Sequence, residues 1–272
     1  MMTALLAAAI AAAAPSAQAV PVQAATEQAE DASPAMFMVR DADTTIYIFG
    51  TFHALDGKSD WLKNRIRTAF DSSNELVLET VIPEGPVQIK STFRGPPPSV
   101  TPSASFLATT RMAISAGRSQ GMQVGNGADN VLRHIAEAQG KPVEGLETLE
   151  LQLNMFNRMP SATASAAPKA GQPIEAGSPM HDLSNAMAEM QSAWKHGDQR
   201  VFVRMLGQLE QSSPDTYRMM FIERNARWAD WIAGRMQTPG TVFVAVGAGH
   251  LAGKDSLLVR LAEHGITSER TN

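Results

Sequence analysis

The spacing of hydrophobic and polar positions along the chain predicts strands near both ends and helices between them. Apolar runs rich in β-branched and aromatic residues predict strands at MFMV (36–39), TTIYIFG (44–50), ELVLETVI (75–82), KPVEGLE (141–147) and TVFVAVG (241–247). Apolar residues at helical spacing predict helices near 60–71, 104–116, 129–139, 148–159, 181–196, 198–210, 214–236 and 255–264.

The order of these elements predicts the fold class. Strands and helices alternate at both ends of the chain, whereas the middle is mainly helical. We therefore expect an α/β fold with α+β character, in which a mixed β-sheet is flanked by helices and a helical insertion occupies about 95–215. Two packed α/β halves are the alternative. Ser59 or Asp60 is expected to cap the first helix, and Asp129 the third.

The first 19 residues are typical of a secretory signal. An apolar stretch from Ala4 to Ala14 leads to the small-x-small pattern Ala17-Gln18-Ala19. The stretch is shorter than the roughly 20 residues that span a bilayer. We expect a signal peptide over 1–19 that is cleaved near Ala19, a flexible lead-in over 20–35 and one domain over 36–272. The mature protein would then be periplasmic or secreted, with no membrane span. A disordered, Ala-rich tail is the alternative.

Composition removes several classes of function. The chain has 272 residues, a formal net charge of −4 and no cysteine. Disulfides, zinc–thiolate sites and a cysteine nucleophile are excluded, and the absence of a basic face argues against nucleic acid as a partner. Walker-type and His-Glu-x-x-His motifs are absent from the sequence. A Pro-rich segment at 95–103 and an Ala/Ser/Pro-rich segment at 160–179 indicate loops.

Two Gly-x-x-His motifs follow apolar strands, and each leads into a helix. They are Gly50–His53 and Gly247–His250. Together they look like a repeated strand–turn–helix unit, in which glycine lets the backbone turn where the strand ends. Ligands of open α/β sheets bind at the carboxyl ends of strands, and two imidazoles meeting there suit a divalent metal ion. The alternative is that each histidine only packs at a strand end.

Two carboxylates occupy similar positions on other predicted strands. Glu79 lies at the end of ELVLE, and Glu147 lies at the end of VEGLE. Carboxylates complement imidazoles in the binding of hard divalent ions, so four strand ends together offer His53, Glu79, Glu147 and His250. The alternative for each glutamate is an ordinary carboxylate at a helix start or sheet edge.

Arg224 lies on the apolar stripe of the helix near 214–236. The other members of that stripe are aromatic or aliphatic: Tyr217, Phe221, Trp228, Trp231 and Ile232. A guanidinium on an apolar face needs a partner, which a site carboxylate or a substrate would supply, unless it reaches solvent along its own stem. Asn225 beside it would donate a hydrogen bond to a developing oxyanion.

These residues resemble the TraB/GumN family, which includes the Tiki proteases that cleave Wnt proteins and the pheromone-shutdown proteins. The resemblance covers most of the predicted domain. It is carried by IFGTFH (48–53), LVLET (76–80), GLETLELQ (145–152), ERN (223–225) and VAVGAGHLAGKDSLLVRLAEHGI (244–266). The family resemblance implies metal-dependent hydrolysis, of peptides in the Tiki branch, with manganese or cobalt as the ion.

Carried over to this chain, the resemblance implies that His53, Glu79 and His250 hold the metal ion. Arg224 and Asn225 would be the accompanying polar pair that stabilises the oxyanion, and we expect Glu147 to act as a general base. The substrate would be a peptide or a small molecule. Two alternatives remain open: a non-catalytic protein that binds haem or another small molecule through its histidines, and an accessory factor for envelope polysaccharide.

Overall fold

The computed structural model of the chain describes residues 30–81, 104–158 and 177–271. The strands are β1 Glu30–Asp31, β2 Met36–Arg40, β3 Thr44–Thr51, β4 Ser59–Asp60, β5 Glu75–Thr80, β6 Val143–Glu147, β7 Gly240–Gly247 and β8 Glu269–Arg270. The α-helices are α1 Asn64–Ser72, α2 Ala104–Ser119, α3 Ala128–Ala138, α4 Leu149–Asn157, α5 Pro179–Lys195, α6 Arg200–Ser212, α7 Pro214–Tyr217, α8 Glu223–Arg235 and α9 Leu257–Glu263. Tighter 3₁₀ turns cover Val124–Asn126 and Ala248–Leu251, and a π-helical turn covers Arg218–Ile222.

The main sheet of the described residues is mixed and has six strands in the order β6-β5-β7-β3-β2-β8. Strands β6, β5, β7 and β3 run parallel to one another, whereas β2 is antiparallel to both β3 and β8. The predicted fold class, a mixed sheet flanked by helices, is therefore confirmed. Strand β6 lies inside the segment expected as a helical insertion and extends the sheet at one edge.

Strands β3 and β7 form the centre of the sheet because their apolar runs can be covered on both faces. Ile48 and Val244 point to the face covered by α8 and α9, whereas Phe49 and Phe243 point to the face covered by α1, α3, α5 and α6. All four side chains are fully buried. A continuous apolar run of this kind is typical of parallel strands with helices on both sides.

The parallel strands bring the predicted site residues to one edge of the sheet. Strand β7 lies between β3 and β5, and Thr51 of β3 pairs with Gly247 of β7. The two Gly-x-x-His units are thus neighbours in the sheet. The carboxyl ends of β5 and β6 open onto the same edge, where Thr80 pairs with Glu147. A crevice at this edge is where open parallel sheets bind ligands.

The first helix begins later than its pattern predicts. Ser59 and Asp60, which were expected to cap it, form β4 and pair with β1. Helix α1 starts at Asn64 after Lys63, whose side chain makes no capping hydrogen bond. Residues 30–35 also belong to the ordered part, since β1 pairs there and Ala32 and Ala35 are buried.

The helix near 214–236 is interrupted at Arg218–Ile222 by the π-helical turn. Its extra residue rotates the following helix relative to the preceding one. Tyr217 therefore packs with the core on one side of the sheet, whereas Trp228 and Ile232 pack with the core on the other. The prediction of a single apolar stripe on this helix is wrong, because its apolar residues are divided between the cores on the two faces of the sheet.

The predicted signal peptide lies outside the described residues, as do the segments 95–103 and 160–176. Among the helices that the structure describes, none has both the length and the apolar character needed to cross a membrane.

Asp56 connects the loop after β3 to helix α5. Its contacts predict that part of the free energy of unfolding depends on pH. Its carboxylate accepts hydrogen bonds from Lys195 Nζ at 3.0 Å, Gln191 Nε2 at 3.1 Å and the backbone N–H of Lys58 at 3.0 Å. Burial raises the pKa of Asp56, but the hydrogen bonds from Lys195 and Lys58 and the charge of Lys195 outweigh it and lower the pKa below its usual range.

Because the folded state lowers this pKa, the stabilisation is complete above the usual pKa of about 3.9 and is lost as the pH falls through the folded value. We expect Asp56→Asn to lower the free energy of unfolding at pH 7 by roughly 1–3 kcal/mol. The difference from wild type should shrink below about pH 4, as measured by urea unfolding.

The matched control is Glu210→Gln, which removes an exposed ion pair to Lys254 at 2.8 Å. Its effect should stay below about 1 kcal/mol. A stability loss in Asp56→Asn that is equal at pH 7 and pH 3 would contradict the assignment.

Candidate functional site

All six residues predicted for the site lie at the carboxyl edge of the sheet. Glu79 and Glu147 are at the ends of β5 and β6, and His53 follows β3 by two residues. His250 lies in the 3₁₀ turn that follows β7, and Arg224 and Asn225 lie in the first turn of α8. The six residues therefore share one edge of the sheet, and the contacts among them decide what each side chain is able to do.

Arg224 is the centre of a buried ionic cluster, which we call the arginine cluster and which contains Arg224, Glu79, Glu147 and His250. The guanidinium donates from Nη2 to Glu79 Oε2 at 2.6 Å and from Nε to Glu147 Oε2 at 3.0 Å. It also contacts His250 Nε2 from Nη1 at 3.2 Å. The residue is only 2% exposed, so the alternative of an arginine that reaches solvent does not hold.

Asn225 fixes the orientation of His250. Its Nδ2 donates to the carbonyl oxygen of Asp255 at 2.7 Å, which leaves Oδ1 facing His250 Nδ1 at 2.7 Å. An amide oxygen only accepts, so Nδ1 of His250 carries the proton. Nε2 is then the unprotonated nitrogen, and it accepts the hydrogen bond from Arg224. Asn225 thus acts on His250, and a role for it at an oxyanion remains a prediction.

Glu147 is held by two arginines. Its Oε1 accepts from Arg227 Nη2 at 3.0 Å, and both of its oxygens contact Nε of Arg224. The glutamate side chain is only 2% exposed, whereas Arg227 is 47% exposed at the rim. A carboxylate engaged in this way has little access to a substrate, and its predicted role as general base is not favoured by the geometry.

His53 has a different environment from His250, although both follow similar motifs. Its side chain is 63% exposed, and its Nδ1 lies 3.3 Å from Asp129 Oδ2. Asp129 was expected to cap helix α3, but the N-cap is Gly127 and the Asp129 carboxylate turns to His53 instead. The pair resembles the carboxylate–histidine arrangement in which one ring nitrogen is fixed and the other faces the substrate.

Gly127 allows α3 to lie against the loop that carries His53. The backbone N–H of Ala128 donates to the carbonyl oxygen of Phe52 at 2.9 Å. A Cβ atom at Gly127 would lie 2.3 Å from the carbonyl oxygen of His53 and 2.7 Å from its carbonyl carbon. Only glycine fits this close approach of two backbones. The approach in turn places Asp129 within reach of the imidazole.

Gly247 lies between Glu79 and His53 at the base of the site. Its backbone N–H donates to Glu79 Oε1 at 2.6 Å. A Cβ atom on this glycine would lie 3.1 Å from Glu79 Oε1 and 3.5 Å from His53 Nε2. The open nitrogen of His53 and the carboxylate of Glu79 therefore face the same small space above Gly247.

The protonation of these groups follows from their neighbours. Partial removal from water lowers the pKa of His53, but the hydrogen bond and charge of Asp129 and the charge of Glu79 outweigh it and raise the pKa above its usual value. Burial lowers the pKa of His250 to about 3, which keeps it neutral. Burial alone would raise the pKa of Glu79, but the positive charges of Arg224 and His53 and the N–H of Gly247 hold it well below its usual value.

The predicted metal ligands meet but are not arranged as a metal site. Nε2 of His250 lies 3.7 Å from Glu79 Oε1, yet this nitrogen and the other oxygen of Glu79 are both engaged by Arg224. Among the residues that the structure describes, no group of three or more histidine, aspartate or glutamate side chains is suited to hold a metal ion. The donor set therefore does not fit a divalent ion while Arg224 is in place.

Three residues of the site were missed by sequence reasoning: Asp129, Gly127 and Arg227. Asp129 was assigned to helix capping because aspartate is common at helix starts. Its contact with His53 crosses a long stretch of sequence, and its position alone carries no sign of it. Gly127 precedes the predicted helix. A glycine at that position permits another backbone segment to approach closely, which is a sequence signal for the contact with the His53 loop.

Gly127→Ala should separate Asp129 from His53 by forcing the two backbones apart. We expect a loss of roughly 1–3 kcal/mol in the free energy of unfolding, as for other overpacked sites. The matched control is Gly125→Ala in the preceding turn, where an added Cβ meets no atom within 4 Å. The control should stay within about 0.5 kcal/mol of wild type. Urea unfolding measures both, and equal stability of the two variants would contradict the close approach.

Comparison with known proteins identifies a family for the chain. A search of curated proteins and a search of solved structures each found no match to the chain. The sequence pattern of the TraB/PrgY/gumN family matches residues 35–93 and 97–270, which include every residue of the site described above. The chain therefore belongs to the TraB/PrgY/gumN family.

Proposed function

We propose that this protein is a hydrolase that cleaves a carbonyl compound, either a peptide or a smaller amide or ester, at the carboxyl edge of the sheet. The observation that carries the proposal is the His53–Asp129 pair. It combines an exposed imidazole with a carboxylate 3.3 Å from Nδ1, and it leaves Nε2 directed toward the space above Gly247. The N-terminal apolar segment and its cleavage pattern support a periplasmic or secreted location.

His53 is the proton-transfer group in this proposal. Asp129 holds Nδ1, so that Nε2 exchanges protons with the reacting groups. The imidazole passes a proton to the leaving group and recovers one from the attacking water, which leaves it unchanged after each cycle. Its exposure lets a substrate reach it directly, which is not the case for the buried ring of His250.

The arginine cluster supplies the electrostatic part of the site. Arg224 contacts one oxygen of the Glu79 carboxylate, and the other oxygen of that carboxylate faces the space above Gly247. A fixed positive charge near a carbonyl oxygen stabilises the negative charge that develops there during hydrolysis. The charge is preorganised because its carboxylate partners are themselves buried and fixed.

A requirement for Mn²⁺ or Co²⁺ is the part of the family-based proposal that the geometry supports least. His53 Nε2 and Glu79 Oε1 face a common space, and a carboxylate behind a ligating imidazole, such as Asp129, is usual in metal sites. The third proposed ligand is His250, and ligation through its Nε2 requires Arg224 to move away. The proposed proton transfer at His53 does not depend on that movement.

The proposal predicts that His53→Gln abolishes hydrolysis while the protein stays folded. Loss of a proton-transfer group typically lowers the rate on the order of 10²- to 10⁴-fold, and the exposed ring contributes little to the core. The assay offers the purified protein a peptide library read by mass spectrometry and a panel of chromogenic esters and amides. Thermal unfolding checks the fold of each variant.

The matched control is His264→Gln. His264 lies beside a separate cavity that is lined by Arg40 and Asp41, at the turn that precedes β3. Its replacement should leave hydrolysis unchanged. Asp129→Asn should lower the rate without abolishing substrate binding, because it weakens the hold on Nδ1. Hydrolysis by His53→Gln at the wild-type rate would refute the proposal.

A further inference from the structure

We propose that the guanidinium of Arg224 is the resident cation of the cleft and takes the place that a divalent metal ion would occupy. This inference deepens the proposed hydrolase function and rests on it for its catalytic meaning. Metal binding, measured without a substrate, tests it. The positive charge in question lies among Glu79, Glu147 and His250.

Arg224 satisfies the same donors that a metal ion would use. Its three nitrogens each engage a different partner: Nη2 meets Glu79 at 2.6 Å, Nε meets Glu147 at 3.0 Å and Nη1 meets His250 Nε2 at 3.2 Å. A metal ion binds histidine through an unprotonated ring nitrogen. Because Nδ1 of His250 is protonated toward Asn225, Nε2 is its only such nitrogen, and Arg224 already occupies it.

The charges of the arginine cluster and of Arg227 at its rim sum to zero without a metal ion. Glu79 and Glu147 carry two negative charges, and Arg224 and Arg227 carry two positive charges. The tautomer of His250 adds no charge. A divalent ion placed among these groups would bring two further positive charges into a region where Arg224 is 2% exposed. Buried charge without a partner is costly, so the cluster as built disfavours such an ion.

Aromatic rings hold both the arginine and the histidine in place. The Arg224 guanidinium carbon lies 4.5 Å from the centre of the Trp228 ring, a favourable cation–π distance. The imidazole of His250 lies between Phe221 and Trp228, with ring centres 4.8 Å and 4.4 Å away. A flip of His250 toward another ligand would have to displace these rings. The arginine position is thus part of the packed core.

The remaining donors give an incomplete metal site. His53 Nε2 and Glu79 Oε1 face the same space, but Glu79 Oε1 already accepts the backbone N–H of Gly247 at 2.6 Å. Asp129 is committed to Nδ1 of His53. The two Gly-x-x-His histidines thus have different tasks: His53 takes part in the chemistry, and His250 holds Arg224.

The decisive experiment is a titration of metal-free protein with Mn²⁺, followed by electron paramagnetic resonance and by calorimetry. Wild type should show no saturable site. Arg224→Gln removes the resident cation and exposes two carboxylates and Nε2 of His250 to the ion. It should bind one Mn²⁺ at least roughly 100-fold more tightly than wild type, since one positive charge at about 4 Å has been removed. His250→Gln in the Arg224→Gln background should abolish that gain.

Two variants separate the position of the charge from its amount. Arg227→Gln removes a positive charge from the same carboxylate, Glu147, but leaves Arg224 in place, and it should not bind Mn²⁺. Arg224→Lys keeps a cation in the cluster and should also fail to bind. Circular dichroism checks that each variant is folded.

The inference is overturned if wild type binds one Mn²⁺ with saturation and loses it on His53→Gln or His250→Gln. It is also overturned if folded Arg224→Gln binds no Mn²⁺. Should Arg224→Gln fail to fold, the wild-type titration decides alone, since a saturable site lost with either histidine contradicts the inference and no such site supports it. Absence of hydrolysis in every assay would refute the proposed function and leave this result standing.

Discussion

The buried positive charge of Arg224 constrains the whole carboxyl edge of the sheet. A guanidinium stays charged in proteins, so burial requires acceptors for its N–H groups. Two strands and a turn supply them: Glu79 lies one residue before the end of β5, Glu147 is the last residue of β6, and the turn after β7 carries His250. These residues are far apart in sequence, the parallel sheet places them at one edge, and all three contact the same guanidinium. The orientation of their side chains is therefore linked to the hydrogen bonds of a single arginine.

The two Gly-x-x-His units show how similar local sequences acquire different chemistry. After β7 the chain enters a 3₁₀ turn that places His250 under the rings of Phe221 and Trp228. After β3 the chain stays open and leaves His53 exposed beside Asp129. The difference comes from the neighbouring elements, since α8 covers one strand end and only the start of α3 approaches the other. One imidazole is thus structural and neutral, and the other faces solvent.

Much of this arrangement could be predicted from the sequence, because it depends on local patterns. Apolar runs of β-branched residues located the central strands, and their ends located Glu79, Glu147 and both histidines. The fold class followed from the order of elements. Parallel strands necessarily open onto one edge, so the convergence of their ends required only that they share a sheet.

The choice of partners could not be predicted, because it depends on contacts between distant residues. The sequence gives Asp129 the same appearance whether it caps a helix or holds His53, and only the approach permitted by Gly127 decides. The sequence indicates that Arg224 needs a partner. Whether Arg224 or a metal ion binds His250 depends on which ring nitrogen of His250 is unprotonated. That in turn depends on the amide of Asn225 and the carbonyl group of Asp255. The π-helical turn leaves no sign in the apolar pattern.

The place of β7 in the sheet has a consequence for how the protein folds. Residues 240–247 pair on one side with 44–51 and on the other with β5, so strands made early are joined by one made much later. Such non-local pairing slows folding, because a long loop must close before its contacts form. Until β7 inserts, β3 and β5 each present an open edge, which favours association with other chains. A chain that lacks β7 therefore exposes two unpaired strand edges, and the cleft, which includes Gly247 and His250, cannot form before the central strand is in place.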